Sequence, residues 1–294
     1  MTLNSPLPRI AVIGLGHMGQ HHVNACVRSN RVTLTAVVDK NEDKARQIAS
    51  ERSVQWSTKL QDIMLIADLA IIAVPTHAHA TTTIPLLKSH IPCLLEKPIA
   101  ATEKEAEEIL LEASTNKTTL CVGHVERFNP NIIKLKERLP KNSVVNRFVT
   151  KRLNKINNRS NDLDAILDLM IHDIDLMRFL NLGSISEINS VDFTDVNNIT
   201  SRLKLVSGTD VEFGVSRSAI NQKRCISISI NNESFEIDLT SKEYCTQHND
   251  PLRLQLSAFV DAIQGKETPI ATGSAGLEAL HIANKMRRMV GLSG

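Results

Sequence analysis

The chain has 294 residues, of which 42% are hydrophobic and 22% charged, which is enough apolar material for two globular domains. Its 34 basic and 32 acidic residues leave a formal net charge of +2, and no long basic run occurs, which argues against nucleic acid as a partner. No apolar run approaches the roughly 18–20 residues of a membrane span, and the N-terminus shows no export signal, so neither membrane insertion nor secretion is expected.

The five cysteines are scattered along the chain, and no pair has the C-x-x-C spacing of a zinc or redox motif. An odd number of unclustered cysteines is typical of free thiols in a reducing compartment. This pattern predicts a cytoplasmic protein without structural disulfides. The residues are Cys26, Cys93, Cys121, Cys225 and Cys245.

The first part of the chain alternates short apolar runs with amphipathic segments. The apolar runs lack a period of two, which is typical of strands buried on both faces of a parallel sheet. The amphipathic segments 41–51 and 102–114 begin with Asn41 and Thr102, which are good helix N-caps. Repeated strand–helix units predict a doubly wound α/β domain over residues 1–124. The predicted strands are 9–14, 34–39, 69–75, 91–98 and 119–124.

The pattern changes near residue 125. A largely apolar helix is predicted around residues 164–180, and short runs with alternating hydrophobicity follow it. Asn-Asn and Ser-Gly pairs between several runs predict the hairpins of an open, mostly antiparallel sheet. Two final helices are expected, so residues 125–294 are predicted to form a second, α+β domain. The predicted strands are 185–193, 200–208, 211–218, 224–231 and 233–240, and the final helices are 251–265 and 274–290.

An open sheet of this kind needs cover on its second face. With alternating hydrophobic residues, as in "RCISISIN" (224–231), the sheet leaves one face that needs cover, and this predicts assembly of a homodimer or homotetramer through the sheet. Cover by the final helices is the alternative.

The stretch "VIGLGHMGQHH" has the G-x-G-x-x-G spacing directly after a predicted strand and before a helix. In this motif Gly14 permits a tight turn, Gly16 lets the backbone approach a pyrophosphate, and Gly19 allows close packing of helix and strand. His17 and Met18 lie in the same turn, and the helix N-terminus attracts the phosphates. The context favours a Rossmann dinucleotide site over a purely structural turn.

An acidic residue, Asp39, stands at the end of the second predicted strand, about 20 residues after the last glycine of the motif. A carboxylate there hydrogen-bonds the adenosine ribose hydroxyls and repels a 2′-phosphate. The position favours NAD over NADP, although the adjacent Lys40 leaves NADP open.

The loop "AVPTHAHA" follows the third predicted strand. Because ligands bind beyond the carboxyl ends of parallel strands, Pro75, Thr76 and His79 are expected to face the cofactor. His77 and His79 have the spacing of a metal-binding pair, but no third ligand follows nearby, so no metal site is predicted.

Two further strand ends carry charged residues. In "LLEKPIA" Glu96 and Lys97 precede a proline, and an ammonium group there is suited to polarising a substrate oxygen; a solvated surface pair is the alternative. In "VGHVERFNP" Arg127 is a candidate for contact with the nicotinamide amide or the substrate, and an interdomain salt bridge is the alternative.

The predicted helix around 164–180 is apolar except for four ionisable residues. At about 100° per residue, Asp168, His172 and Asp175 share one narrow stripe, and Asp173 points away. A carboxylate four residues before a histidine can fix the tautomer of the ring and raise its basicity, as an acid–base pair requires. A structural charge network is the alternative.

Taken together, "GLGHMG", "EKP" and "DLMIHDID" resemble the Gfo/Idh/MocA oxidoreductases over essentially the whole chain. The resemblance implies that Lys97, Asp168 and His172 form the catalytic trio, that Arg127 and Asp175 approach the substrate, and that one face of the open sheet makes oligomer contacts. It also implies hydride transfer from an alcohol carbon to the nicotinamide while His172 removes the hydroxyl proton and Lys97 stabilises the alkoxide.

Two motifs narrow the resemblance. "VGHVERFNP" and "LDLMIHDID" are similar to the branch that oxidises UDP-N-acetylglucosamine at C3, although "SNDLDAIL" stands where many members have a glycine-rich segment. A diphosphate needs cations, for which Lys151, Arg152 and Arg159 are candidates, with a solvated basic loop as the alternative. A free sugar or cyclitol substrate, a hydrolase that uses NAD transiently and a dinucleotide-binding regulator without turnover remain alternative functions.

Overall fold

The computed structural model describes residues 6–139, 145–155, 163–231, 233–242, 244 and 249–292. The chain forms two compact units, one made of Met1–Val125 with Asp250–Leu277 and the other of Glu126–Asn249 with Glu278–Gly294. The sequence assigned everything after residue 124 to the second domain. The segment 250–277 instead belongs to the first unit, because it adds a strand to the sheet of that unit.

The first unit contains a seven-stranded sheet with the order β13-β6-β5-β4-β1-β2-β3, in which all neighbours are parallel except β13 and β6. The strands are β1 (Arg9–Ile13), β2 (Thr33–Val38), β3 (Gln55–Ser57), β4 (Leu69–Ile72), β5 (Cys93–Leu95), β6 (Leu120–Val122) and β13 (Ala271–Thr272). The helices are α1 (His17–Val27), α2 (Glu42–Arg52), α3 (His79–Lys88), α4 (Glu103–Thr115) and α7 (Pro251–Ile263), and α8 (Gly273–Met289) begins in this unit.

The predicted α/β fold of the first unit is confirmed. All residues of β4, β5 and β6 are buried, as expected for strands covered on both faces. The predicted N-caps also hold, since the Asn41 side chain accepts a hydrogen bond from Lys44 N and Thr102 forms a capping box with Glu105. β3 and β13 are additional strands of three and two residues, too short to produce a pattern in the sequence.

The second unit contains a six-stranded sheet with the order β12-β11-β7-β10-β9-β8, in which β7 and β10 are parallel and all other neighbours antiparallel. The strands are β7 (Val145–Leu153), β8 (Ile185–Asp195), β9 (Asn198–Leu205), β10 (Asp210–Ser216), β11 (Lys223–Ile230) and β12 (Glu233–Asp238). The helices are α5 (Pro130–Arg138) and α6 (Ile171–Phe179). The predicted open, mostly antiparallel sheet is confirmed, and β7 is an interior strand that the sequence did not predict.

The two faces of this sheet differ in chemistry. One face is apolar and includes the buried Phe148, Phe213, Ile226 and Ile228. The opposite face, called the outer face below, carries ion pairs between neighbouring strands: Arg202 with Asp192 and Glu212, Lys204 with Asp210, and Lys223 with Glu236. The isoleucines of "RCISISIN" are on the apolar side, and Ser227 and Ser229 alternate with them.

None of the helices within the described residues is long and apolar enough to cross a membrane.

Candidate active site

Two glycines of the turn after β1 are required by the backbone of the first unit itself. Gly14 has φ +86°, and a Cβ atom there would lie 2.6 Å from the carbonyl oxygen of Ala73. A Cβ atom at Gly19 would overlap the carbonyl oxygen of Gly14. These two positions hold β1, the turn and α1 in close contact.

Gly16 has a different environment. It is the N-cap residue of α1 with an ordinary φ of −63°, and a Cβ atom there would meet no protein atom within 4 Å. The absence of a side chain is therefore not demanded by packing within the protein. The open space lies at a helix N-terminus, where unpaired amide groups attract anions, so the turn fits the pyrophosphate of a dinucleotide. The adjoining residues His17 and Met18 are exposed and half-buried, respectively.

Asp39 follows β2 and fixes this turn. Its carboxylate accepts hydrogen bonds from Leu15 N at 2.7 Å and from Asn41 N at 2.9 Å. An ionised carboxylate has about four acceptor positions, so these two bonds leave room for the ribose hydroxyls that the sequence predicts. Lys40 beside it is exposed.

The loop after β4 holds the three residues that were expected to face the cofactor. Pro75 is exposed and Thr76 half-buried, whereas His79 is 1% exposed. The ring of His79 lies 2.8 Å from the carbonyl oxygen of Pro98 and 3.1 Å from that of Val74. His79 therefore ties the loop after β4 to the loop after β5, and burial lowers the pKa of its ring.

Glu96 and Lys97 follow β5, and the structure separates them by burial. Lys97 is half-buried, while Glu96 is 7% exposed and lies with Oε1 2.7 Å from His22 Nε2. Burial would raise the pKa of the Glu96 carboxyl, but the hydrogen bond and charge of His22, together with the charge of Lys97, lower it overall. Glu96 is thus an internal anion beside Lys97, not part of a solvated surface pair.

In the second unit, the predicted helix around 164–180 has two parts. Residues Ile166–Met170 form one turn of π-helix, which continues into α6. A π-helix has i→i+5 bonds and a wider turn, so the 100° per residue assumed from the sequence does not hold across Asp168. Such turns are common at functional sites.

The four ionisable residues of this segment do not share one environment. Asp168 and His172 are partly exposed, on consecutive turns, whereas Asp173 and Asp175 are 1% and 2% exposed. Arg217 lies with Nη1 3.6 Å from the Asp168 carboxylate. Of the predicted stripe, Asp168 and His172 are therefore alike in partial exposure, with an arginine beside the carboxylate, whereas Asp175 is buried.

Asp175 is the partner of Arg127. The guanidinium donates two hydrogen bonds to the carboxylate, at 2.8 and 2.5 Å, and both side chains are buried. The Arg127 guanidinium also lies 5.2 Å from the centre of the Phe179 ring. Both residues belong to the second unit, so this is a salt bridge within one unit, and its geometry gives each residue a structural role beside its predicted role toward the ligand.

Arg152 is also buried and paired. It is 2% exposed and donates hydrogen bonds to Glu126 at 2.9 Å and to Asp173 at 2.9 and 3.4 Å. Arg224 adds a second cation 3.2 Å from Glu126. Burial alone would lower the pKa of Arg152, but the two carboxylates raise it above its usual value. The predicted role of Arg152 in binding a diphosphate is corrected to an internal network.

The other two cations proposed for the diphosphate differ from Arg152. Lys151 is exposed on the same strand. Arg159 lies outside the described residues.

Three residues with charged partners were not predicted from the sequence: His22, Arg217 and Arg224. His22 stands three residues after Gly19, on the buried side of an otherwise mixed helix, and this position was an available signal. Arg217 and Arg224 are distant in sequence from their partners Asp168 and Glu126, so these ion pairs could not be deduced. The described residues contain no group of three or more potential metal ligands.

Comparison with known proteins identifies the class. Residues 8–124 match the model of an oxidoreductase family with an NAD-binding Rossmann fold, in agreement with the glycine turn and Asp39. Over these residues the chain is similar to the Gfo/Idh/MocA oxidoreductases.

Several relatives match the chain. A UDP-N-acetylglucosamine 3-dehydrogenase from Acidithiobacillus ferrooxidans is 25% identical, with 95% of this chain and 96% of the relative covered. An inositol 2-dehydrogenase/D-chiro-inositol 3-dehydrogenase from Shouchella clausii is 29% identical, with 58% of this chain and 52% of the relative covered.

Solved structures agree with the fold. That of the UDP-N-acetylglucosamine 3-dehydrogenase GnnA from Acidithiobacillus ferrooxidans has a TM-score of 0.88 at 24% identity, with 98% of both chains covered. That of GenD2 from gentamicin A biosynthesis, in complex with NAD, has a TM-score of 0.86 at 16% identity, with 98% of this chain and 95% of the other covered.

The buried network yields a stability prediction. Arg152→Met should lower the free energy of unfolding by about 3–5 kcal/mol, because it leaves Glu126 and Asp173 buried with less compensating charge. The matched control is Arg147→Met on the outer face of the same strand, where an exposed pair with Glu212 is worth at most about 1 kcal/mol. Urea unfolding measures both changes, and equal effects would show that the Arg152 network is not the cause.

Proposed function

We propose that the chain is an NAD-dependent dehydrogenase that oxidises a sugar hydroxyl to a ketone, with C3 of UDP-N-acetylglucosamine as the preferred substrate position. The observation that carries the proposal is the similarity to the UDP-N-acetylglucosamine 3-dehydrogenase from Acidithiobacillus ferrooxidans, whose match covers 95% of this chain. The open space at Gly16 and the acceptor Asp39 support a dinucleotide. The carboxylate of Asp39 favours NAD, since it would repel a 2′-phosphate.

The residues of the first unit bind and orient the cofactor. The turn with Gly14, Gly16 and Gly19 holds the pyrophosphate, and Asp39 holds the ribose. NAD, when bound, supplies the hydride acceptor. Lys97 places an ammonium group at the reacting oxygen and stabilises the negative charge that develops there, a contribution of several kcal/mol in a dry site.

The residues of the second unit move the proton. His172 accepts the proton of the substrate hydroxyl, so that the C–O bond can become a carbonyl as the C–H bond breaks. Asp168 stabilises the imidazolium that forms, and Arg217 Nη1 lies 3.6 Å from the same carboxylate. The partial exposure of His172 and Asp168 leaves both accessible for proton exchange.

A cyclitol or free-sugar dehydrogenase is the second candidate. The inositol dehydrogenase from Shouchella clausii, 29% identical over a shorter match, favours it. The substrate decides between the two candidates, since the same proton and hydride transfers serve both.

The proposed function is tested by following NADH absorbance with a panel of substrates. UDP-N-acetylglucosamine with NAD should give the highest kcat/KM, above free N-acetylglucosamine and myo-inositol, and NADP should be used less well. Turnover of myo-inositol alone would select the second candidate, and no turnover of any sugar would contradict both.

The proposed roles predict the effects of three substitutions. His172→Ala and Lys97→Ala should each lower kcat by about 10²–10⁴-fold with the affinity for NAD nearly unchanged. Asp168→Asn should also slow turnover, because an amide cannot stabilise an imidazolium as a carboxylate does. In steady-state kinetics, the double variant Lys97→Ala/His172→Ala should lose much less kcat than the product of the two single losses. Near-normal turnover by His172→Ala would refute the role of His172.

The glycine turn gives a prediction that needs no substrate. Gly16→Ala should raise the Kd for NAD by at least about tenfold, since its methyl group enters the space assigned to the pyrophosphate, while the free energy of unfolding changes by less than about 0.5 kcal/mol. Gly19→Ala is the contrasting variant and should destabilise the protein, because its Cβ overlaps Gly14. Calorimetric titration and urea unfolding measure the two properties; unchanged NAD binding by Gly16→Ala would exclude the pyrophosphate from this turn.

The proposed assembly is a homodimer or homotetramer formed through the outer face of the six-stranded sheet. Its support is the mixture of positive and negative side chains on that face, which can complement a second copy. Since these contacts are polar, sedimentation should show an oligomer at micromolar concentration that weakens as salt is raised. A monomer at low salt would reject the assembly.

A further inference from the structure

His22 and Glu96 form a buried pair that the proposed mechanism does not use. His22 lies on α1 and is 1% exposed, Glu96 follows β5 and is 7% exposed, and His22 Nε2 is 2.7 Å from Glu96 Oε1. An ionised carboxylate can only accept hydrogen bonds, so Nε2 carries the hydrogen. With Glu96 ionised, Nε2 is therefore the protonated ring nitrogen in this contact.

The carboxylate is held from three sides. Oε1 accepts from His22 on α1, and Oε2 accepts from the backbone amide of Lys97 at 3.2 Å. On the third side is Gly123, after β6, where a Cβ atom would lie 3.1 Å from the Glu96 carboxyl group. The two hydrogen bonds and the lack of a side chain at Gly123 allow one orientation of the Glu96 carboxylate, beside Lys97.

We propose that His22 is a positioning residue, which acts through Glu96 by holding it as an oriented anion next to Lys97. The inference rests on the proposed function of Lys97 as the group that stabilises the reacting oxygen. An anion at this position draws the ammonium group of the lysine toward one arrangement. The charged or titratable groups around Glu96 are His22 on α1, His79 on α3 and Lys97 on its own strand end, and Gly123 after β6 contributes no charge.

The pH dependence of the Glu96 anion follows from the opposing contributions to the pKa of its carboxyl group. Burial raises the pKa of the Glu96 carboxyl, but the hydrogen bond and charge of His22, together with the charge and backbone amide of Lys97, offset this, so that the pKa is below its usual value. The anion is present above that pKa and is lost as the pH falls through it. Without a donor at position 22, burial dominates and Glu96 takes up a proton at higher pH.

The ionisation of Glu96 can be measured without substrate. In His22→Leu, infrared spectra at neutral pH should show the C=O stretch of a protonated carboxyl group that the wild-type protein lacks. The double variant His22→Leu/Glu96→Gln should lose this band, which assigns it to Glu96. His22→Gln, whose amide can still donate a hydrogen bond, should give the wild-type spectrum. If His22→Leu does not fold, Glu96→Gln and His22→Gln provide the test, and wild-type spectra for both variants support an ionised Glu96. Loss of a protonated-carboxyl band in Glu96→Gln would instead overturn the proposal.

Turnover tests the link to Lys97. Glu96→Gln should lower kcat by about tenfold or more while KM for NAD stays near its original value, since the anion acts on the reacting centre. In His22→Leu the acid limb of the kcat profile should move to higher pH, and His22→Gln should restore it. His281→Gln, on the exposed side of α8, is the matched control and should leave the profile unchanged.

The outcomes separate this inference from the proposed function. An active enzyme whose acid limb and infrared spectrum are unaffected by His22→Leu overturns the role of His22 and leaves the dehydrogenase assignment intact. If the wild-type protein oxidises none of the sugars, the proposed function fails, and with it the role of the pair toward Lys97, even where the carboxyl band appears as expected.

Discussion

The parallel strands of the first unit end at one edge of their sheet, and this geometry places its functional residues. Gly14 follows β1, Asp39 follows β2, Pro75 follows β4 and Glu96 follows β5. The strands β4, β5 and β6 are wholly buried, so charged groups in this part of the sheet lie beyond the strand ends. A short local change at any one strand end therefore alters the site without altering the core, provided that the backbone contacts of the turn are kept.

Burial of charge organises the second unit. Arg152, Arg127 and their carboxylate partners are removed from water, which is tolerable only because each charge meets an opposite charge with good hydrogen-bond geometry. Asp168 and His172 differ in being partly exposed. A segment that the sequence presents as one charged helix thus divides into groups that stabilise the unit and a pair that retains contact with solvent.

The sequence was most informative where the signal is local. The spacing of Gly14, Gly16 and Gly19 and the apolar strands depend on neighbouring residues, and the structure agrees with them. β7 was missed because Val149 and Thr150 are both buried and Arg152 is an internal cation, which hides the alternation expected of a strand.

Other features depend on pairing between distant residues or on small changes in backbone geometry. The partners of Arg152 lie 26 and 21 residues away, and no spacing rule identifies them. The π turn at 166–170 has the same amphipathic appearance as an α-helix, so the assumed rotation per residue was wrong there. The buried state of His79 follows from the carbonyl groups of two loops, which a sequence does not show.

The pairing of β13 with β6 makes the first unit discontinuous along the chain. Gly276, in the first turn of α8, packs closely against Val122 of β6. A Cβ atom at Gly276 would lie 2.7 Å from the Val122 side chain, so α8 fits tightly against β6. During synthesis, β6 is therefore an open sheet edge until the ribosome has released residues 250–277. Open edges pair readily with other chains, so the interval before these residues emerge is the stage at which the nascent protein is most exposed to misassembly.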